Sequence, residues 1–281
     1  MIYGDGTTHA YGSVSLPENT MKSIQRALAL LTCAVASVCS AEPLPTLQVQ
    51  FDRPIFTGFT GQGYDNVYIN FFKPGASKMT REHVSAGRFQ GTGSQLNGVD
   101  ASVFVDGLND LYMYCYDIYQ DINHGSNVKY NVNFDGELAR TLDFLGAVNK
   151  VLNKDKTTYD KYAWVHPATG YIGAAIQIGI WESKYETDTA WDLAAGTFQA
   201  TALDAPTLAA WNAFRTEIDH RTAIDGKFVM TLESATKQDM ITADPPAAND
   251  VPEPGSLLLL GTALAVVAAV QRRKARPPGK N

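Results

Sequence analysis

The chain has 281 residues, with 23 basic and 29 acidic side chains and a net charge of −6. No basic patch stands out in its body, so nucleic-acid binding has no electrostatic support and no such partner is expected. A middle rich in Gly, Asn, Thr, Ser and Tyr has the profile of a secreted, β-rich protein.

Residues 1–20 are polar and rich in Gly and Thr, and read as a non-native upstream extension, with translation expected to start at Met21. Met21 to Arg26 is then a basic n-region, Ala27 to Val38 an apolar h-region, and Cys39-Ser40-Ala41 supplies small residues before Glu42-Pro43. That is the pattern of a secretory signal peptide over 21–41, cut between Ala41 and Glu42. Neither Cys33 nor Cys39 is preceded by the small residue a lipobox wants.

The remainder to residue 243 is long enough for one domain with a substantial core, about 200 residues. Leu47 to Phe51 and Asn66 to Phe71 alternate as strands, and Lys73-Pro74-Gly75 marks a turn. Ala86 to Gly91 reads as a strand running into a Gly/Ser loop over 91–98, and Ala101 to Val105 is β-rich again. In the strand Leu111 to Tyr119, period two puts Tyr112, Tyr114, Tyr116 and Ile118 on one face and Leu111, Met113, Cys115 and Asp117 on the other. The tyrosine stripe suits core packing better than sugar stacking. Leu138, Leu142, Leu145, Val148 and Leu152 recur with helical spacing, predicting an amphipathic helix over 136–152. Gly170 to Tyr185 is apolar nearly all round and predicts a buried helix, Thr207 to Asp219 a third, and Lys227 to Leu232 a late strand. The fold class expected is α+β: a β-sandwich or partial β-barrel with a helical insertion, plus the signal peptide and a C-terminal hydrophobic helix.

Residues 244–251 form a Pro/Ala linker, after which Pro252-Glu253-Pro254-Gly255 breaks regular structure. Leu257 to Val270 is uncharged and almost wholly apolar, and Arg272, Arg273, Lys274 and Arg276 follow. The apolar span is shorter than the roughly 20 residues of a stable membrane helix, yet long enough for brief residence with the basic end on the cytoplasmic side. An ordinary C-terminal anchor would look much the same. Motif, apolar span and basic end occur over 252–276 in the order of the PEP-CTERM sorting signal, which this tail resembles. The resemblance implies export, transient residence in the inner membrane, processing by an exosortase, and release to the cell surface or extracellular matrix of a Gram-negative bacterium.

Of the chain's 3 cysteines, only Cys115 lies beyond the signal peptide. A single cysteine in an exported protein signals an intermolecular bond, a reactive group, or a small buried apolar residue. The five histidines show no zinc spacing, and no nucleotide or hydrolase motif is present, so no metal, cofactor or enzymatic turnover is expected. Tyr114-Cys115 on a strand and Gln177-Ile178-Gly179-Ile180-Trp181 on a helix resemble the aromatic–Cys and Gln-x-x-aliphatic-Trp motifs of the thioester domain of bacterial surface adhesins. The resemblance covers roughly residues 85–242 within an extracellular domain spanning 42–243. It implies an internal Cys115–Gln177 thioester, shielded by Ile180 and Trp181, for single-use covalent attachment to an amine-bearing surface protein or matrix polysaccharide. Gly179, lying between Ile178 and Ile180, leaves room for imperfect shielding. The rival reading is a non-covalent structural or carbohydrate-associated matrix protein in which Cys115 is buried and unreactive. A hydrolase using Cys115 would need a histidine beside it, and His124 is the nearest in sequence.

Overall fold

A computed structural model describes residues 44–59, 61–99, 111–220 and 222–243. The signal peptide with its Ala41/Glu42 cut, the strand expected at 101–105, the linker, and the sorting tail with Pro252, Glu253, Pro254, Arg272 and Arg273 lie outside the described residues. Among those described, no helix is long and apolar enough to cross a membrane.

Strands β1 (Thr46–Phe51), β4 (Phe89–Asn97), β5 (Leu111–Cys115), β9 (Met240–Ala243), β8 (Val229–Glu233) and β6 (Asn127–Asn133) close, in that order, into an antiparallel barrel. A separate sheet has the order β3 (Met79–Gly87), β2 (Tyr64–Phe72), β7 (Phe198–Thr201). Helices α1 (Ala139–Leu152), α2 (Gly170–Tyr185) and α3 (Ala205–Glu217) fall between β6 and β8. The class is therefore mixed α and β with a helical insertion, and among the described residues the barrel is closed rather than partial or a sandwich.

Register fixes which side chains fill the barrel, because directly paired residues share a face. Phe51 pairs with Gly91 two residues from Phe89, Phe89 with Met113, Met113 with Thr242, and Cys115 with Met240. Met240 pairs with Leu232, Leu232 with Val132, and Tyr130 with Leu47, which returns to β1. Cys115 is thus on the interior face with Leu47, Val49, Phe51, Met113 and Tyr130, all buried.

The tyrosine stripe turns the other way, toward the helical layer. Tyr114 stacks on Trp164 with centroids 5.8 Å apart and donates its hydroxyl to the Trp164 carbonyl at 2.9 Å. The Tyr116 hydroxyl accepts the Leu138 N–H at 2.8 Å, just ahead of α1. These rings are core, as the alternation predicted.

Two local readings change. The Gly/Ser stretch expected as a loop over 91–98 is most of β4. Its glycines suit a strand here because a Cβ on inward-facing Gly91 would lie 2.8 Å from the Gln50 carbonyl oxygen of β1. Gly179 is no gap either: a Cβ there would collide with the Phe144 ring of α1. Phe144 is itself hemmed in by Trp191, Trp211 and Phe214, at centroid distances of 5.8, 6.1 and 6.1 Å.

Gly179→Ala tests this packing. Alanine favours a helix over glycine by about 1 kcal/mol, but a ring with no room to move makes the overpacking dominate. Urea denaturation is expected to show a net loss of about 1–3 kcal/mol; equal or higher stability would mean that Phe144 can repack.

Candidate functional site

The site begins where two sheets part. β3 ends at Gly87, paired to Tyr64 of β2, and β4 begins two residues later with Phe89, paired to Met113 of β5. The chain switches partners at buried Arg88, so β4 never reaches the level of Cys115. On the other edge of β5 the Tyr116 N–H donates to the Asp239 carbonyl at 2.7 Å. By alternation the main-chain groups of Cys115 point toward the missing continuation of β4.

Gln177 fills that position. Its Oε1 accepts the Cys115 N–H at 2.8 Å and its Nε2 donates to the Cys115 carbonyl at 2.8 Å. The side chain comes from α2, whose residues from Gly173 through Ser183 are all buried, as the all-round apolar pattern predicted. The two motifs, 62 residues apart, are thereby brought into direct contact.

A cleft of about 300 Å³ leads to Cys115. Trp181, Ile118, Ile69 and Val84 line it together with Glu82, Asp121, His124 and Gln238. Cys115 and Trp181 are each 2 % exposed, and Gln177, fully buried, lies behind Cys115. Trp181 is on the cleft wall as a shield would be, whereas Ile180 belongs to the core and not to that wall.

Burial, and secondarily the nearby Asp117 carboxylate, push the Cys115 thiol well above its usual pKa. It is therefore a protonated thiol at neutral pH, not a standing nucleophile. Asp117 offers no free base, since its carboxylate accepts the N–H groups of Tyr119, Gln120 and Asp239 at 2.8, 3.2 and 2.8 Å. His124 Nδ1 accepts the Ile55 N–H at 2.9 Å. The neutral ring then carries its proton on Nε2 and has no lone pair left to act as the base of a cysteine hydrolase while that bond holds.

Sequence reading missed most of the cleft wall. Glu82 and Val84 of β3, the 120–124 loop and Gln238 come from distant segments and converge only in the fold. Gln238 is held there by its donation to the Asp117 carbonyl at 2.8 Å and by the Tyr130 hydroxyl donating to its own carbonyl at 3.1 Å.

The C-terminal segment decides where this site operates. Residues 250–274 match the family of PEP-CTERM protein-sorting motifs. The tail is a PEP-CTERM sorting motif. It implies an exported, exosortase-processed protein, so the barrel and cleft work outside the cytoplasm. No curated protein and no solved structure matches the chain.

Glu182, next to Trp181 and with a side chain 0 % exposed, is pushed up to about 8, chiefly by burial. The Asp192 N–H, at 3.2 Å, and Arg140, at 4.0 Å, oppose the shift only in part. Arg140 instead spends its N–H groups on the Asp188 and Ala190 carbonyls at 2.7 and 2.8 Å. A carboxyl raised from about 4.3 in the unfolded chain contributes stability fully below that pH, and the contribution is lost as pH rises toward about 8. Glu182→Gln removes that titration. The variant is expected to gain on wild type between pH 5 and pH 8 by about 3–4 kcal/mol, measured by denaturant unfolding at both pH values; parallel pH profiles would count against a neutral Glu182.

Proposed function

We propose that this PEP-CTERM protein forms an internal thioester between Cys115 and Gln177 and uses it, once, to attach covalently to an amine-bearing partner outside the cell. The observation that supports this reading is the pair of hydrogen bonds between the Gln177 carboxamide and the main chain of Cys115.

Those bonds have the polarity the chemistry needs. The Cys115 N–H donates to the oxygen that becomes negative as sulfur adds to the carboxamide carbon, and a fixed donor there stabilises the tetrahedral state. The Cys115 carbonyl holds the nitrogen that must leave. The S–C bond forms, the C–N bond breaks, and the thiol proton departs with the nitrogen as ammonia. No net acid or base is consumed, so a raised thiol pKa is compatible with the overall step while leaving it slow. Holding the carboxamide against the cysteine replaces an encounter with a fixed contact.

In the second step an amine entering by the cleft, past Trp181, adds to the acyl carbon. The new C–N bond forms, the C–S bond breaks, and a proton from the amine passes to sulfur. The product is an amide on Gln177 and a free Cys115 thiol. The acceptor is a surface protein or an amine-bearing matrix polysaccharide.

The same two bonds favour one rival. They complete the hydrogen bonding of β5 where β4 stops, which is reason enough to bury a glutamine. On that reading Cys115 is an inert core residue and the protein is a non-covalent structural or carbohydrate-associated matrix component.

Intact mass and thiol labelling separate the two. The thioester reading expects a mass one ammonia below that of the unmodified chain, no labelling of native Cys115, and, on adding methylamine, release of one thiol and a gain of one methylamine. Cys115→Ala is expected to abolish the mass deficit. A full mass with no response to methylamine would leave the structural reading in place.

A further inference from the structure

The outer face of the small sheet can be read from its register. Asn66, Tyr68, Asn70 and Phe72 of β2 share one face, opposite buried Val67, Ile69 and Phe71. Their partners on β3 are Ser85, His83, Arg81 and Met79, and those of Tyr68 and Asn70 on β7 are Thr201 and Gln199. None of these ten residues is a carboxylate, although the chain carries a net charge of −6.

The composition is specific in other ways. Tyr68 and Phe72 remain 36 % and 37 % exposed, large for aromatic rings on a sheet. They are four residues apart on one strand, about 13 Å, the length of a short run of sugar rings. Between them Asn70 donates to Gln199 at 3.3 Å, and beside them Ser85 donates to Asn66 at 2.9 Å, leaving amide donors and acceptors exposed along the row. The Arg81 guanidinium lies 4.3 Å from the Tyr68 centroid and the His83 ring 4.7 Å from it. The nearby carboxylate Glu82 is on the opposite face by register and is paired with Lys73 at 3.0 Å.

We infer that this face is a docking surface for an acidic polysaccharide, a chain of sugar rings bearing carboxylates. The rings present flat apolar faces to sugar C–H groups, the amides satisfy hydroxyls, and Arg81 receives a carboxylate with two parallel N–H groups. Charge complementarity selects an acidic over a neutral glycan. Double-stranded DNA fits worse, because it carries a negative charge about every 1.7 Å of its axis, and Arg81 is the one Lys or Arg side chain among these ten residues. The inference does not depend on the thioester.

The test is affinity electrophoresis of the full protein through gels containing polygalacturonate, with dextran and double-stranded DNA as separate matrices. Retardation is expected in polygalacturonate alone and should fall with added salt. Arg81→Gln, and Asn66→Asp, which keeps the Ser85 bond while adding a carboxylate, should each weaken retention about tenfold. Lys129→Gln, on an exposed barrel position, removes the same charge as Arg81→Gln and should leave retention unchanged. No retention by polygalacturonate, equal retention by dextran or DNA, or equal losses for Lys129→Gln and Arg81→Gln would overturn the proposal.

Discussion

Everything around the site follows from one conflict in backbone hydrogen bonding. The chain leaves the small sheet at Gly87 and enters the barrel at Phe89, so β5 loses its neighbour before Cys115. A buried N–H and C=O without partners cost about 1–3 kcal/mol each. Cys115 is 2 % exposed and Gln177 fully buried, so the partner these groups find is a protein group rather than bulk water. A primary carboxamide can serve both, since it carries a donor and an acceptor side by side in the spacing of a peptide group. That requirement places Gln177 in the interior, draws α2 against the barrel, and leaves α2 with no solvent face along its middle turns.

This explains why some of the architecture was legible in sequence and some was not. The α2 segment was readable because burial on all sides writes itself as apolar residues at every phase of the helix. β1 and β2 were readable because one face is wet and one dry. β4 was not: its Gly91 is dictated by the approach of β1, a tertiary fact with no local signature. β7 and β9, with four residues each, are too short to establish a period, and their existence depends on β2, β5 and β8 arriving alongside. β6 alternates Val128, Tyr130 and Val132 with polar residues, a period of two that the sequence did carry. The Cys115–Gln177 contact was suggested by motif order; the cleft that reaches it was not, because its walls are gathered from parts of the chain far apart in sequence.

Gly179 shows how a site-centred reading misleads. Seen from Gln177, a missing side chain two residues along looks like a hole in a shield. In a helix those two residues are about 200° apart in azimuth, so Gly179 faces α1 while Gln177 faces β5. The glycine is there for Phe144. On the thioester reading, shielding on the cleft side would rest on Trp181, which lines the cleft one turn after Gln177 and on the same face.

β3 joins the two halves of the functional argument. Its inward residues Glu82 and Val84 line the cleft to Cys115, while Arg81 and His83 project to the opposite surface. On the two proposed readings, a single strand would separate the thioester pocket from the glycan-docking face by the thickness of one sheet. For a protein released from its sorting tail this arrangement has a physical use. A single-use electrophile reacts with whatever amine reaches it first, so its selectivity must come from what is held nearby rather than from repeated trial. Reversible docking on the outer face would raise the local concentration of matrix chains, and of amines carried on them or bound to them, before the bond is committed. Weak contacts would then choose the partner, and the cleft would only fix the choice.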